Sequence, residues 1–170
     1  EKGTLRTSQY DRYTASMNLS PKFLDDHLSI DLNVKGTINK TRFAESGAVG
    51  AAAFFDPTKP VNNDTGRYNG YWTWETLAES DGTTTYYPNT LASVNPLAML
   101  EQYRNRGTTN RSLGNLQIDY KIHGFEELRA NLNLGYDVAK STGSRFDTAG
   151  SPQAALNTTF KDIGQGATWN

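Results

Sequence analysis

The stretch that decides the fold is Leu28-Ser29-Ile30-Asp31-Leu32-Asn33-Val34-Lys35-Gly36-Thr37-Ile38-Asn39. Leu28, Ile30, Leu32, Val34 and Ile38 fall on one parity, and Ser29, Asp31, Asn33, Lys35, Thr37 and Asn39 on the other. Successive side chains of a strand point to opposite faces, so this segment is a strand with one apolar and one wet surface. The pattern recurs. Leu116, Ile118, Tyr120 and Ile122 alternate with Asn115, Gln117, Asp119 and Lys121. Leu128, Ala130, Leu132, Leu134, Tyr136 and Val138 alternate with Arg129, Asn131, Asn133 and Asp137. A weaker copy near the start sets Tyr13, Ala15, Met17 and Leu19 against Thr14, Ser16, Asn18 and Ser20.

What the apolar surface touches is the next question, and composition narrows it. A chain of 170 residues is long enough to bury a core. Its hydrophobic content is 36%, below the roughly 45–50% of ordinary globular domains. A soluble sandwich of this length needs a strand roughly every 8–12 residues, whereas these strands cluster in two pairs and leave about half the chain outside them. The net charge of −1 gives no bulk attraction to nucleic acid or to anionic surfaces. The absence of cysteine excludes disulfide scaffolds and thiolate metal sites. No apolar run approaches the roughly 18 residues of a membrane helix, and no signal peptide is visible. The chain opens at Glu1 and stops in a polar segment at Asn170, which reads as a piece of something larger.

The strands, at about 11–19, 28–39, 115–122 and 128–138, form two hairpins. Each has a compact acidic turn with one Phe before an acid pair: Phe23 before Asp25-Asp26, and Phe125 before Glu126-Glu127. Between the hairpins runs a connection over 40–109, several-fold longer than ordinary loops. It is too aromatic for a solvated linker, carrying Phe54, Phe55, Tyr68, Tyr71, Trp72, Trp74, Tyr86 and Tyr87. Two short helices are expected in it: one over 48–55, ending before Asp56-Pro57, and one over 95–102, where Asn95 can cap and Pro96 sits at the first helical position. A second polar stretch covers 141–170. Short turns thus lie at one end of the sheet and long loops at the other, which is the asymmetry of transmembrane β-barrels. Strands of about 9–11 residues cross a bilayer when tilted. The expected fold is all-β: antiparallel up-and-down hairpins from a transmembrane barrel, with long extracellular loops containing short helices, the whole chain belonging to one barrel domain. The apolar faces then meet lipid and the polar faces a wet lumen.

Several segments carry a family resemblance. Asp11-Arg12-Tyr13 with Met17-Asn18-Leu19-Ser20, the run 28–36, the Asn95-Pro96-Leu97-Ala98-Met99-Leu100 element and Gly135-Tyr136-Asp137 together resemble the barrel region of SusC/RagA-type TonB-dependent transporters. The resemblance is diffuse and covers most of 11–142. It implies part of a large outer-membrane barrel of a Bacteroidetes-type Gram-negative bacterium, importing glycans or peptides with a SusD-like surface lipoprotein and opened by the TonB system. The plug domain and TonB box of that family have no counterpart in this chain. No cofactor is implied.

Candidate site residues follow from chemistry. Tyr71, Trp72, Trp74, Tyr86 and Tyr87 suit contact with a glycan or a lid, because C–H groups of sugars lie well on aromatic faces. The plainer role, a small core that keeps a long loop folded, is the commoner one for such residues. Asn115, Gln117, Asp119, Lys121, Arg129, Asn131, Asn133 and Asp137 are candidates to line the lumen; their plainer role is pairing among themselves, with Asp119 and Arg129 as an expected cross-strand pair. No metal site is expected. Asn62-Asn63-Asp64-Thr65-Gly66 has oxygen ligands for Ca²⁺ but lacks the EF-hand pattern and reads better as an Asx turn. His27 and His123 flank turns and make no catalytic constellation, so an enzyme is not expected. Arg104, Arg106 and Arg111 are too few for a nucleic-acid footprint. The rival reading is a soluble extracellular β-domain that binds carbohydrate through Trp72 and Trp74. It needs the apolar faces to pack on each other.

Overall fold

The structure is a computed structural model and describes residues 1–125, 127–156 and 165–169. In chain order the strands are β1 (Gln9–Leu19), β2 (Lys22–Phe23), β3 (Leu28–Phe43), β4 (Glu75–Ser80), β5 (Thr83–Pro88), β6 (Tyr103–Lys121), β7 (Arg129–Asp147) and β8 (Gln165–Trp169). The helices are α1 (Gly47–Phe54), α2 (Pro96–Gln102) and α3 (Pro152–Leu156). The main sheet has the order β1-β3-β6-β7-β8, with the short β2 paired to β3; β4 and β5 form a separate hairpin. The described chain is therefore mostly antiparallel strand with a few short helices, as an all-β reading requires. Among the described residues no helix is long and apolar enough to cross a membrane, which says nothing of a β-barrel. The chain divides into two compact units, one of Asp11–Lys40 and Thr108–Thr142, the other of Glu1–Tyr10, Thr41–Gly107 and Gly143–Trp169.

The first of these is the sheet with the alternating pattern. Only Gly114 is buried among its described residues. Met17, Leu19, Ile38, Leu132, Leu134, Tyr136 and Val138 are all exposed. Among the described residues no second layer packs on this sheet within its unit, so the soluble sandwich finds no partner face here. Gly114 is buried because the ring of Tyr136 lies over it: an added Cβ would stand 2.5 Å from Tyr136 Cε1 and 3.0 Å from the Asn33 carbonyl. An aromatic across a strand glycine restores the contact area that the missing side chain removes. The Tyr136 hydroxyl and Ser112 Oγ are hydrogen-bonded at 3.0 Å.

The opposite face pairs polar side chains across strands. Arg12 Nε donates to Asn39 Oδ1 at 3.0 Å, Thr109 and Ser141 share a hydrogen bond at 2.9 Å, and Arg111 grips Asp137 through two bonds. The expected Asp119–Arg129 pair is replaced: Asp119 accepts from Asn131 Nδ2 at 3.3 Å. The turn before β3 holds Leu24, Asp25 and Asp26 at φ of 57°, 52° and 66°, left-handed values that cost non-glycine residues. His27 closes it, with its backbone N–H donating to the Leu24 carbonyl at 3.0 Å, and its ring stacks on His123 of the other turn at 4.0 Å.

The strands outrun their expected bounds. β6 starts at Tyr103 rather than near 115, and β7 runs to Asp147 rather than 138. Residues 104–110 and 140–145 are polar on both parities, so they leave no hydrophobic period to read even though the backbone ladder continues. The connection 40–109 is accordingly structured, holding the end of β3, α1, the β4–β5 hairpin, α2 and the first residues of β6.

The second unit holds the buried hydrophobic core: Ala48, Tyr68, Ala98, Leu100, Tyr103 and Ala154. It is small, and polar staples supplement it. Gln102, 5% exposed, donates from Nε2 to the Tyr68 carbonyl at 2.9 Å, while its backbone carbonyl accepts from the N–H and Oγ1 of Thr148. Asn69 Nδ2 donates to the Ala149 carbonyl at 2.9 Å. These bonds join segments about 35 to 80 residues apart in sequence, which a loop with few apolar residues needs if it is to hold one shape.

Candidate functional site

The aromatic segment of the long connection is built around Asn95. This side chain is 1% exposed and uses its whole hydrogen-bonding capacity. Its Oδ1 accepts from the N–H of Leu97 and Ala98 at 3.0 and 3.3 Å, capping α2, and Pro96 follows where a missing N–H does no harm. Its Nδ2 donates to the carbonyls of Val61 and Trp72 at 2.8 and 3.1 Å. Trp72 N–H in turn donates to Val61 O at 3.0 Å. One amide therefore anchors the helix and the aromatic segment together.

Held in this way, Trp72 and Trp74 meet edge to face, with ring centroids 4.8 Å apart and planes at 79°. Phe55 meets Trp72 in the same manner at 5.9 Å and 87°. Such T-shaped contacts put the positive edge of one ring on the negative face of the next. The Lys59 ammonium stands 5.2 Å from the Trp74 ring and 5.8 Å from the Trp72 ring, a cation–π arrangement. Its position follows from an Asx turn: Asp56 Oδ1 accepts from Thr58 N–H at 2.9 Å and from Thr58 Oγ1 at 2.7 Å, which also lowers the Asp56 pKa. Phe55, Lys59 and both tryptophans are half-buried.

The other three candidate aromatics go elsewhere. The Tyr71 hydroxyl donates to the Glu101 carboxylate, whose second oxygen takes the Arg6 guanidinium at 2.9 Å. Burial, and then the neighbouring carboxylate, push the Tyr71 pKa up to about 12. Tyr86 and Tyr87 lie opposite Leu77 and Thr76 on the β4–β5 hairpin, so they face opposite sides of it. Arg67 stacks its guanidinium 4.1 Å from the Tyr86 ring while binding both oxygens of Glu75, at 2.6 and 2.9 Å. The structure therefore brings together Trp72 and Trp74, adds Phe55 and Lys59, and holds Tyr71 and Tyr86 in separate ionic clusters. Tyr87 remains exposed on the hairpin.

The Asn62–Gly66 stretch is a turn. Asn63 Nδ2 donates to the Tyr71 carbonyl at 3.0 Å and Asn63 Oδ1 accepts from Thr65 Oγ1 at 3.0 Å. No cluster of metal-binding side chains is found among the described residues. The lumen candidates lie on the polar face described above, and of the Glu126-Glu127 acid pair Glu126 falls outside the described residues.

No family model matches the chain. The chain is similar to the TonB-dependent receptor SusC of Bacteroides thetaiotaomicron, with 36% identity over 149 residues, which cover 84% of this chain and 15% of that receptor. The chain thus spans less than a sixth of the curated relative it matches.

Proposed function

We infer that this chain, a SusC-type segment, supplies part of the wall and part of the mouth of an outer-membrane β-barrel that imports glycans or peptides by a TonB-dependent route. The observation that carries this reading is the sheet of Asp11–Lys40 and Thr108–Thr142, whose apolar face is exposed while its opposite face is laced by polar pairs. In water such a face is a liability; in a bilayer it is the required outer surface of a barrel. The similarity to SusC over 84% of the chain supports the same conclusion. The polar pairs then line the wet interior, and the unit containing Trp72 and Trp74 shapes the entrance, where a SusD-like lipoprotein and the solute meet it.

In this role the chain does no chemistry. The wall holds the barrel in lipid, and the edge-to-face Trp72–Trp74 pair offers aromatic surface beside the Lys59 ammonium, a donor for sugar hydroxyls or peptide carbonyls. The test is Leu132→Arg in the complete receptor. An arginine on the lipid face costs ~2–4 kcal/mol near the bilayer midplane and about 0–1 near the interfaces. Unfolding of the receptor from bilayers by denaturant reads that loss, and a variant as stable as the parent, with unchanged insertion, overturns the lipid-facing assignment.

A further inference from the structure

The first ten residues fold back on themselves. Lys2 bridges antiparallel to Gln9, Gly3 N–H donates to the Ser8 carbonyl at 3.0 Å, and Tyr10 N–H donates to the Glu1 carbonyl at 3.0 Å. The turn between these segments is strained and pinned. Thr7 sits at φ 78°, a left-handed value that costs a β-branched residue. Its Oγ1 donates to the Leu100 carbonyl of α2 at 3.3 Å, and the neighbouring Arg6 pairs with Glu101 at 2.9 Å. Gly3 permits a close approach, since a Cβ there would stand 2.6 Å from Ser8 Oγ.

This turn and β3 enclose a pocket of about 250 Å³, whose lining includes Lys2, Gly3, Arg6, Thr7, Ser8 and Arg42. Three of the side chains that line it are cations and none is a carboxylate. The acids near them in the fold are committed. Glu101 takes Arg6 and the Tyr71 hydroxyl, while Glu1 and Asp11 have interactions of their own and do not line the pocket. Arg42 is different. Its Nε is shielded from water and has no hydrogen-bond partner among the described residues. Nor is any ion pair to Lys2 or Arg42 found among those residues. A shielded donor of a charged group left without an acceptor is costly, so the pocket is incomplete as it stands.

We propose that this pocket binds a tetrahedral oxyanion, a phosphate or sulfate group, between Lys2, Arg6 and Arg42. Binding turns the Nε edge of Arg42 into the pocket, where Nε and one terminal nitrogen meet two oxygens of the anion as a fork. Lys2 supplies a point charge to a third oxygen, and the Ser8 hydroxyl is a further donor. A carboxylate has only two oxygens, in one plane, and leaves part of this donor set unused. The strained, pinned Thr7 suits a site whose shape is fixed before the anion arrives. All the lining residues belong to the second unit, so the assignment does not depend on what the sheet faces.

The test is calorimetric titration of the complete receptor in detergent with inorganic phosphate, sulfate and acetate at constant ionic strength. The parent is expected to bind phosphate and sulfate, and acetate about tenfold or more weakly than either. Lys2→Gln and Arg42→Gln should each weaken phosphate about tenfold or more, the loss of one charge-assisted contact. Arg42→Lys keeps the charge without the fork and should recover only part of that loss. Lys22→Gln removes a cation that does not line the pocket and should leave binding unchanged. Dihexanoyl phosphatidic acid, a soluble lipid phosphate, identifies the source: tighter binding than inorganic phosphate assigns the site to a lipid headgroup, and equal binding to the free ion. A parent that binds no phosphate, acetate bound as tightly as phosphate, full binding in Lys2→Gln or Arg42→Gln, or an equal loss in Lys22→Gln overturns the proposal.

Discussion

Replacing Asn95 tests the aromatic segment at its most connected point. Asn95→Ala removes two bonds that cap α2 and two that hold the Val61 and Trp72 carbonyls, all from a side chain 1% exposed. Loss of a cap costs ~1 kcal/mol, within a range of about 0.5–2. Each clamping bond contributes about 0.5–1.5 kcal/mol net, and more when the abandoned carbonyl stays buried. The expected local loss is therefore about 3 kcal/mol, which raises opening of the segment on the order of a hundredfold. Native-state hydrogen exchange of the complete receptor reads it directly, at the amides of Trp72, Leu97, Ala98 and Met99, the last of which donates to the Asn95 carbonyl at 3.0 Å. Two companion variants separate the terms. Asn95→Ser keeps a capping oxygen and loses the clamp, so exchange should rise at Trp72 more than in α2. Asn95→Asp keeps the acceptors but points a buried carboxylate at two carbonyls, and should cost at least as much as alanine. If Asn95→Asp protects these amides as well as asparagine does, the two donated bonds contribute nothing and the account of this segment is wrong.

Gly114→Ala should destabilise the receptor by about 1–3 kcal/mol, the usual cost of overpacking. The Tyr136 ring can swing away from the new methyl group but the Asn33 carbonyl, 3.0 Å from it, belongs to the backbone. Equilibrium unfolding measures the loss, and the Tyr136→Ala background should recover only the part due to the ring. Tyr71→Phe should cost about 1 kcal/mol at neutral pH through the lost bond to Glu101. The folded Tyr71 phenol holds its proton to about pH 12, above its ordinary value of 10.0. Its stabilising effect is therefore present below pH 10 and is lost as pH rises toward 12. The phenylalanine variant should lack that slope, and a phenolate absorbing near 12 should vanish from its ultraviolet titration. Replacing Trp72 and Trp74 together by alanine should weaken capture of the solute while leaving barrel assembly intact; equal binding by the double variant removes both from the site.

The strand faces were legible from residue order because the two units obey different rules. In the sheet unit nearly every side chain is outward, and only Gly114 is buried among the described residues. Environment alternates with each residue there, and so does polarity. The same logic explains where legibility stops. From Arg104 to Asn110 and from Lys140 to Arg145 both faces are polar, so the ladder continues without a period to announce it. In the other unit the aromatics share a residue type, yet what each one does depends on the partner at its polar end or ring face. Glu101 takes the hydroxyl of Tyr71 and Arg67 takes the face of Tyr86, while Trp72 and Trp74 meet each other, Phe55 and the Lys59 ammonium. Those partners come from positions up to 30 residues away and have no local signature. Two local signals did exist. Asp56-Pro57-Thr58 is an Asx turn that delivers Lys59, and Asn95-Pro96 is a cap whose two amide hydrogens, unused by α2, had to find buried carbonyls elsewhere. A buried capping asparagine has two donors to satisfy, whereas serine or threonine has one and aspartate none. The choice of asparagine at 95 is thus itself evidence of a tertiary clamp, and the Val61 and Trp72 carbonyls are the answer to that requirement.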